Sequence, residues 1–249
     1  MIKMIKALLM SVSMFSVLPV PKRHWDEHCL PWVIPFFPAV GGLIGCLWYV
    51  TTLFTTELPL PLQSVIVLLI PFFLSGFLHL DGYIDTADAF FSRQNLEEKK
   101  RILKDSHVGA FGVIAVICLL LIQFCIIQTI ISEKKTMIAF IFIPVISRCV
   151  TGIALLNMKP MSKTGYAVMF GANTKPIHTL FILTLFITVI IFAFLLGNNA
   201  MWFGLVTVIV SALVTLVYLN RQFQGLSGDL CGCVVSVSEM FGLLCVAIL

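Results

Sequence analysis

Charge is scarce in this sequence. Of its 249 residues, 16 are Lys or Arg and 12 are Asp or Glu, so only 11% carry charge. Soluble domains carry about a quarter, and a 27.7 kDa globule in water needs more than this. Intrinsic disorder is excluded by the same numbers, since it requires low hydrophobicity and high net charge, whereas 59% of the chain is hydrophobic and the net charge is +4. Eight cysteines form no metal framework: Cys46, Cys118, Cys125, Cys149 and Cys245 lie in apolar runs, and Cys231-Gly-Cys233 lacks a second pair or histidines. There is no internal repeat, low-complexity tract or Walker-type glycine loop. Nothing points to a nucleic-acid partner. One integral-membrane domain over residues 1–249 is the economical description.

What the chain does have is long apolar blocks. A helix needs roughly 20 apolar residues to cross a bilayer core of about 30 Å. Seven blocks approach that length: Val33–Thr56, Leu60–Leu78, Val108–Ser132, Met137–Leu156, His178–Gly197, Ala200–Leu219 and Cys231–Leu249. They are continuously apolar rather than alternating, which signals helices and not barrel strands. An eighth run, Met4–Val17, is shorter and has Lys3 and Lys6 near its start. Pro19-Val-Pro21 follows it where a signal peptide would have a small-residue cleavage site, so it reads as an interfacial or partly inserted helix. The expected fold is all-α: a polytopic membrane helix bundle of about seven transmembrane helices plus a short N-terminal interfacial helix.

The connections give an orientation. Alternating spans put the long segments His79–His107, Asn157–Ile177 and Asn220–Leu230 on one side, together with Pro19–Trp32. That side collects Lys22, Arg23, Arg93, Lys99, Lys100, Arg101, Lys104, Lys159, Lys163, Lys175 and Arg221. The opposite connections hold only Lys134 and Lys135. By the positive-inside rule the long segments face the cytoplasm of a bacterial cytoplasmic membrane.

Six aspartates are present, and three share one stretch, His79-Leu-Asp81-Gly-Tyr-Ile-Asp85-Thr-Ala-Asp88-Ala. On a helix, positions i, i+4 and i+7 fall at about 0°, 40° and −20°, a single face. Carboxylates crowded this way repel one another unless a cation lies among them. Oxygen ligands suit Mg²⁺, which shares its shell with substrate phosphates. The alternative is a solvated helix end, but acids at the membrane default to function. His79 falls on the opposite side of such a helix and reads as a packed histidine.

Two further clusters carry polar chemistry. Lys99-Lys-Arg-Ile-Leu-Lys104-Asp105-Ser-His107-Val-Gly109-Ala-Phe-Gly112 leads into an apolar block. Lys99, Lys100 and Arg101 read as interfacial anchors. Gly109 and Gly112 either let a helix N-terminus approach phosphate or pack helices closely, and the sequence favours neither. In Arg221-Gln-Phe-Gln-Gly225-Leu-Ser-Gly228-Asp229-Leu-Cys-Gly232, Asp229 either caps a helix or faces the first cluster. Arg148 and Glu239 are charges inside apolar blocks. Arg148 could bind phosphate, or the two could be each other's partners.

These motifs resemble the cobalamin synthase family, the adenosylcobinamide-GDP ribazoletransferases. Gly76-Phe-Leu-His79-Leu-Asp81-Gly82-Tyr-Ile-Asp85-Thr-Ala-Asp88-Ala is similar to the family's GALHLDGLADTADG-like run. Lys104-Asp105-Ser-His-Val-Gly109-Ala-Phe-Gly112 is similar to its KDxxxGAFG segment, and Gly225-Leu-Ser-Gly228-Asp229-Leu-Cys-Gly232 with Glu239 to its GLTGDxxGA…E region. Ala89, Ser227 and Cys233 are small departures. The resemblance covers most of the chain and implies the joining of adenosylcobinamide-GDP to α-ribazole or its 5′-phosphate, with release of GMP. It further implies a Mg²⁺ requirement, met at Asp81, Asp85 and Asp88, and attack by the ribazole 5′-hydroxyl on the cobinamide-side phosphorus. Asp105 or Asp229 would orient or deprotonate the hydroxyl, or complete a second metal site. Lys104 and Arg148 would contact the leaving phosphate, with Gly109, Gly112, Gly225 and Gly228 lining the substrate path. Homo-oligomerisation is compatible with this reading. A CDP-alcohol phosphotransferase is the competing enzyme class, but its D-G-x-x-A-R signature would need Ala-Arg where Asp85-Thr86 stand.

Overall fold

Turn and capping chemistry divides the apolar blocks into helices. Proline opens several of them, where its missing N–H costs nothing: α2 (Phe37–Phe54) and α3 (Leu60–Leu74) each carry Pro in their first two positions. Further along, Asn198 accepts a hydrogen bond from Met201 N at 3.1 Å and starts α9 (Asn199–Phe223), while Ser227 accepts from Leu230 N at 3.3 Å and starts α10 (Gly228–Ile248). The remaining helices are α1 (Ile2–Phe15), α4 (Leu78–Phe91), α5 (Leu96–Ile102), α6 (Ala110–Ser132), α7 (Ala139–Asn157) and α8 (Pro176–Leu196), with a 3₁₀ turn at Glu27–Trp32. The computed structural model describes residues 2–21, 26–162, 169–170 and 174–249. Lys22, Arg23 and Lys163, counted above among the one-sided positive charges, lie outside the described residues.

Among the described residues, six helices are individually long and apolar enough to cross a membrane: α2, α6, α7, α8, α9 and α10. The chain is a multi-pass, all-α membrane protein. Helix α7 is its centre, with 72% of its apolar window buried, whereas only 11% of the window of α8 is buried and that helix faces outward. Close packing of α7 on α2 depends on Gly41 and Gly45, where a Cβ would come within 2.5 Å of Pro144 O and 2.7 Å of Ile141 O, respectively.

One sequence expectation is corrected here. The block Leu60–Leu78 is not a single straight span. Helix α3 ends at Leu74, and α4 leaves it at 90°. Gly76 (φ 61°) and Phe77 (φ 59°) both take the left-handed conformation, and Phe77 N donates to Phe72 O at 2.8 Å. Two consecutive left-handed residues reverse the helical path, and glycine at the first of them removes half of the steric penalty. Among the described residues, α3 and α4 reach the length and apolarity of a span only when taken together, as a pair broken at the elbow.

The elbow brings α4 against the first turns of α6 and α10. Val17 N donates to Leu74 O at 2.9 Å, which ties the segment after α1 to the end of α3. Helix α1 has 14 residues and buries Ala7, Met10, Val12 and Phe15, with Phe15 and Phe37 ring centroids 4.5 Å apart. Short helix α5 closes over the ends of α4 and α9, where Lys99 Nζ donates to Gln222 Oε1 at 3.0 Å.

Candidate active site

Helix α4 meets α10 at glycine. A Cβ on Gly82 would come within 2.6 Å of Asp229 O, and one on Gly232 within 3.1 Å of His79 Cα. Backbone-to-backbone contact at this crossing therefore requires Gly82. Ser236 Oγ donates to His79 O at 3.2 Å and fixes the register. The consequence is that Asp229, in the first turn of α10, faces Asp81 and Asp85. The Asp85 carboxyl feels the charges of Asp81, Asp229 and Asp88, and Asp229 feels that of Asp81. No ion pair among the described residues includes any of these four aspartates.

The three α4 aspartates are not equivalent. Asp81 is exposed and Asp85 half-buried, but Asp88 is 7% exposed. Its Oδ2 accepts from Gly109 N at 2.8 Å and its Oδ1 from Gly112 N at 2.9 Å. Asp88 thus caps the N-terminus of α6 from a neighbouring helix, meeting both its orphan amides and its positive dipole end. A Cβ on either glycine would collide with that carboxylate. Helix packing around Asp88 therefore determines Gly109 and Gly112. Their amides are taken up by a protein carboxylate, which is why they are not free to receive a substrate phosphate.

Two other residues from the expected substrate set are also committed elsewhere. Arg148 is 2% exposed and pairs with Glu239, Nη1 to Oε1 at 2.6 Å. Ser147 Oγ donates to the same Oε1 at 2.7 Å, and Arg148 Nη1 also donates to Pro144 O at 3.0 Å. Of the two roles open to Arg148, partnership with an acid is the one observed. Gly225 (φ 149°) lies against the Pro160–Met161 backbone, with a Cβ position 2.6 Å from Met161 Cα. There Leu226 N donates to Lys159 O at 2.9 Å and Met161 N to Leu226 O at 2.8 Å, a small bridge the sequence did not announce. Gly228 is different. Nothing lies within 4 Å of its Cβ position, so it leaves open space beside Asp229.

Asp105 and Lys104 belong to the turn between α5 and α6. Asp105 Oδ1 accepts from His107 N at 3.0 Å and contacts His107 Nδ1 at 2.7 Å. These contacts with His107 hold its carboxyl below the usual range, and its other charged neighbour is Arg101 rather than the α4 acids. Lys104 is exposed. The acidic group is therefore Asp81, Asp85 and Asp229, with Asp88 behind it.

Among the described residues, no three His, Cys, Asp or Glu side chains already stand at metal-binding distance from one another. Mg²⁺ does not need such a cage, since it is held by one or two carboxylates plus substrate phosphates. Asp81, exposed, and Asp85, partly buried, both lacking a basic partner among the described residues, have the right donor chemistry for it.

A cavity of about 290 Å³ opens beside this group, walled by Phe15, Phe37, Leu78, His79, Phe170 and Asp229 among others. His79 had been read as a packed histidine on the far side of α4, and it is buried there. Its Nε2 has no hydrogen-bond partner among the described residues.

Fold and site together define a polytopic α-helical membrane protein with an acidic, oxygen-donor site at one end of its bundle. The profile of the cobalamin-5-phosphate synthase family matches residues 7–247, and the chain belongs to that family. A relative from Clostridium perfringens (strain SM101 / Type A), named adenosylcobinamide-GDP ribazoletransferase, is 34% identical over 98% of both chains. One of the same name from Clostridium botulinum (strain Alaska E43 / Type E3) is 34% identical over 96% of this chain and 95% of its own. Another, from Geobacillus sp. (strain WCH70), is 29% identical over 93% and 91%. No solved structure matches the chain.

Proposed function

We infer that this chain is a transferase that joins adenosylcobinamide-GDP to α-ribazole or its 5′-phosphate and releases GMP, the last assembly step of the cobalamin nucleotide loop. The observation that carries the chemistry is the convergence of Asp81, Asp85 and Asp229 at the α4–α10 crossing with no basic partner among the described residues. Family membership carries the substrates.

The family description refines one expectation. A product bearing a 5-phosphate has its ribose 5′-oxygen already esterified. The attacking group common to both acceptors is therefore a secondary ribose hydroxyl and not the 5′-hydroxyl. In the reaction, that hydroxyl forms a bond to the cobinamide-side phosphorus and the phosphoanhydride bond breaks. The bridging oxygen departs with GMP, and the hydroxyl proton passes to a carboxylate or to water.

Asp229 would orient the hydroxyl or accept its proton, a role supported by the charge of Asp81 acting on it and by the open space at Gly228. Asp88 holds α6 against α4 and so keeps the acidic face in register. Mg²⁺, held by Asp81 and Asp85 together with substrate phosphate oxygens, would supply charge neutralisation at the diphosphate. Lys104, exposed in the turn between α5 and α6, would contact the departing GMP. Positioning and electrostatics are the usual content of such transfers.

The active face is assigned to the cytoplasm and the protein to the bacterial cytoplasmic membrane, on the one-sided Lys and Arg distribution. The test is GMP release from adenosylcobinamide-GDP by proteoliposomes holding the full chain, with and without Mg²⁺ and ribazole. Release that requires both, with a corrinoid product carrying the ribazole, is the expected result. Release without ribazole, or a product lacking the corrinoid, would overturn the reading.

A further inference from the structure

Three segments far apart in the chain meet where α1 begins. Cys29 Sγ donates to Lys3 O at 3.6 Å and ties the 3₁₀ turn at Glu27–Trp32 to the first turn of α1. Trp32 in turn stands edge-on to His178 and Phe181 of α8, with ring centroids 4.6 and 5.6 Å away. Between these segments lies a cavity of about 470 Å³ whose polar lining is Lys3, Glu27, His28, Lys175 and His178. His178 Nδ1 accepts from Lys175 N at 3.0 Å and fixes the start of α8 at the cavity wall. Charge here is unbalanced. Lys6, one turn along α1, is neutralised by Asp26 at 3.3 Å. No ion pair among the described residues includes Lys3, Lys175 or Glu27. With the histidines neutral, two lysines against one glutamate leave one surplus positive charge, the complement of a phosphodiester.

The setting selects the kind of phosphodiester. Lys175 immediately precedes α8, the least buried of the six spanning helices. A second cavity, of about 610 Å³, shares Lys175 and Ile177 with the first and continues over Leu156, Leu180 and Leu183. Leu180, Leu183 and Ile187 are all exposed, and their spacing puts them on one face of α8. An indole such as that of Trp32 belongs at headgroup level, where aromatic residues gather. Basic pockets between helices at the membrane surface take anionic headgroups, and an apolar helix face leading away from one takes an acyl chain. We propose that the cleft between α1, the 3₁₀ turn and the start of α8 binds an anionic phospholipid of the phosphatidylglycerol type. Lys3 and Lys175 hold its phosphate, Glu27 accepts from the headgroup hydroxyls, and an acyl chain lies along Leu180 and Leu183. A lipid held this way fastens α1 to α8 across the cleft.

The experiment strips the full-length chain of lipid in mild detergent and titrates it with phosphatidylglycerol, phosphatidylcholine or phosphatidylethanolamine of equal chain length. Native mass spectrometry counts the lipid that stays bound. Each lysine at an anionic lipid surface contributes a factor of about fivefold. Phosphatidylglycerol is therefore expected to bind at least about tenfold more tightly than either zwitterionic lipid. Lys3→Gln and Lys175→Gln should each weaken it about fivefold, while Lys175→Arg keeps the charge and the preference. Lys134→Gln, on the opposite side of the membrane, should leave binding unchanged. Equal retention of the three lipids, or full preference in the Lys3→Gln, Lys175→Gln double variant, would overturn the proposal. A loss in Lys134→Gln as large as in Lys175→Gln would do the same, since it would reflect general surface charge. Inorganic phosphate supplies the last arm. If millimolar phosphate displaces the bound lipid completely, the cleft is a site for free phosphate and not for a phospholipid. None of these outcomes bears on GMP release, so the proposal stands or falls separately from the ribazoletransferase reading.

Discussion

Two groups of charge stand out in this bundle, one buried and one partly open, and they are resolved in opposite ways. Arg148 and Glu239 meet at 2.6 Å in the middle of the apolar region, with Ser147 and the Pro144 carbonyl bonded to them as well and Arg148 Nε left without a hydrogen-bond partner among the described residues. Asp81, Asp85 and Asp229 meet at the α4–α10 crossing with charge of one sign only. The first group is balanced by charge within the protein. The second has no basic partner among the described residues. One set of charges is paired internally and the other is not, and that contrast is the reason the second is proposed as the site of binding.

The contrast can be broken at its closed end. Glu239→Ala leaves Arg148 buried and unpaired, and is expected to destabilise the protein by about 3–5 kcal/mol. Thermal unfolding in detergent reads the loss, and replacing Arg148 by Met in the same chain should recover much of it. At the open end the effect moves from stability to activity. Asp85→Asn is expected to lower GMP release about 10²–10³-fold while the unfolding temperature stays level or rises, because a like charge has been removed. An unfolding temperature that falls in step with activity would show that Asp85 is a structural partner after all.

Asp88 stands between these cases, an acid whose two oxygens are answered by backbone amides. Gly112→Ala drives a methyl group into that carboxylate and should cost about 1–3 kcal/mol of stability, with a proportionate loss of active protein. The smallest effect belongs to the surface. Glu98→Gln removes an exposed ion pair to Arg101, and exposed pairs contribute little. No measurable shift in unfolding temperature is expected, and a clear one would mean that α5 is held by more than Lys99 and Gln222.

The sequence made the apolar blocks legible because a spanning helix must be apolar along its whole length. It did not disclose the elbow. Apolar residues continue through Phe77 and Leu78, and hydropathy carries no record of a left-handed φ. The acidic face was legible for a related reason: i, i+4, i+7 spacing holds on any helix, and aspartate is rare enough here to stand out. Other features depended on residues far apart in the chain. Gly109 and Gly112 could be read toward phosphate or toward packing, because their partner Asp88 lies 21 and 24 residues upstream. Arg148 was equally open, with Glu239 91 residues away. His79 was placed on the far side of α4 correctly, but periodicity gives no hint that a cavity lies there.

The elbow has a bearing on the lipid itself. Helix α3 has 15 residues, which at 1.5 Å of rise is about 22 Å, well short of a core of about 30 Å. Such a mismatch is met by thinning of the surrounding bilayer or by tilt, at a modest cost for each ångström. The α3–α4 elbow is therefore the part of the protein expected to respond most to the thickness of the host bilayer, and activity in vesicles of different acyl-chain length reads that dependence.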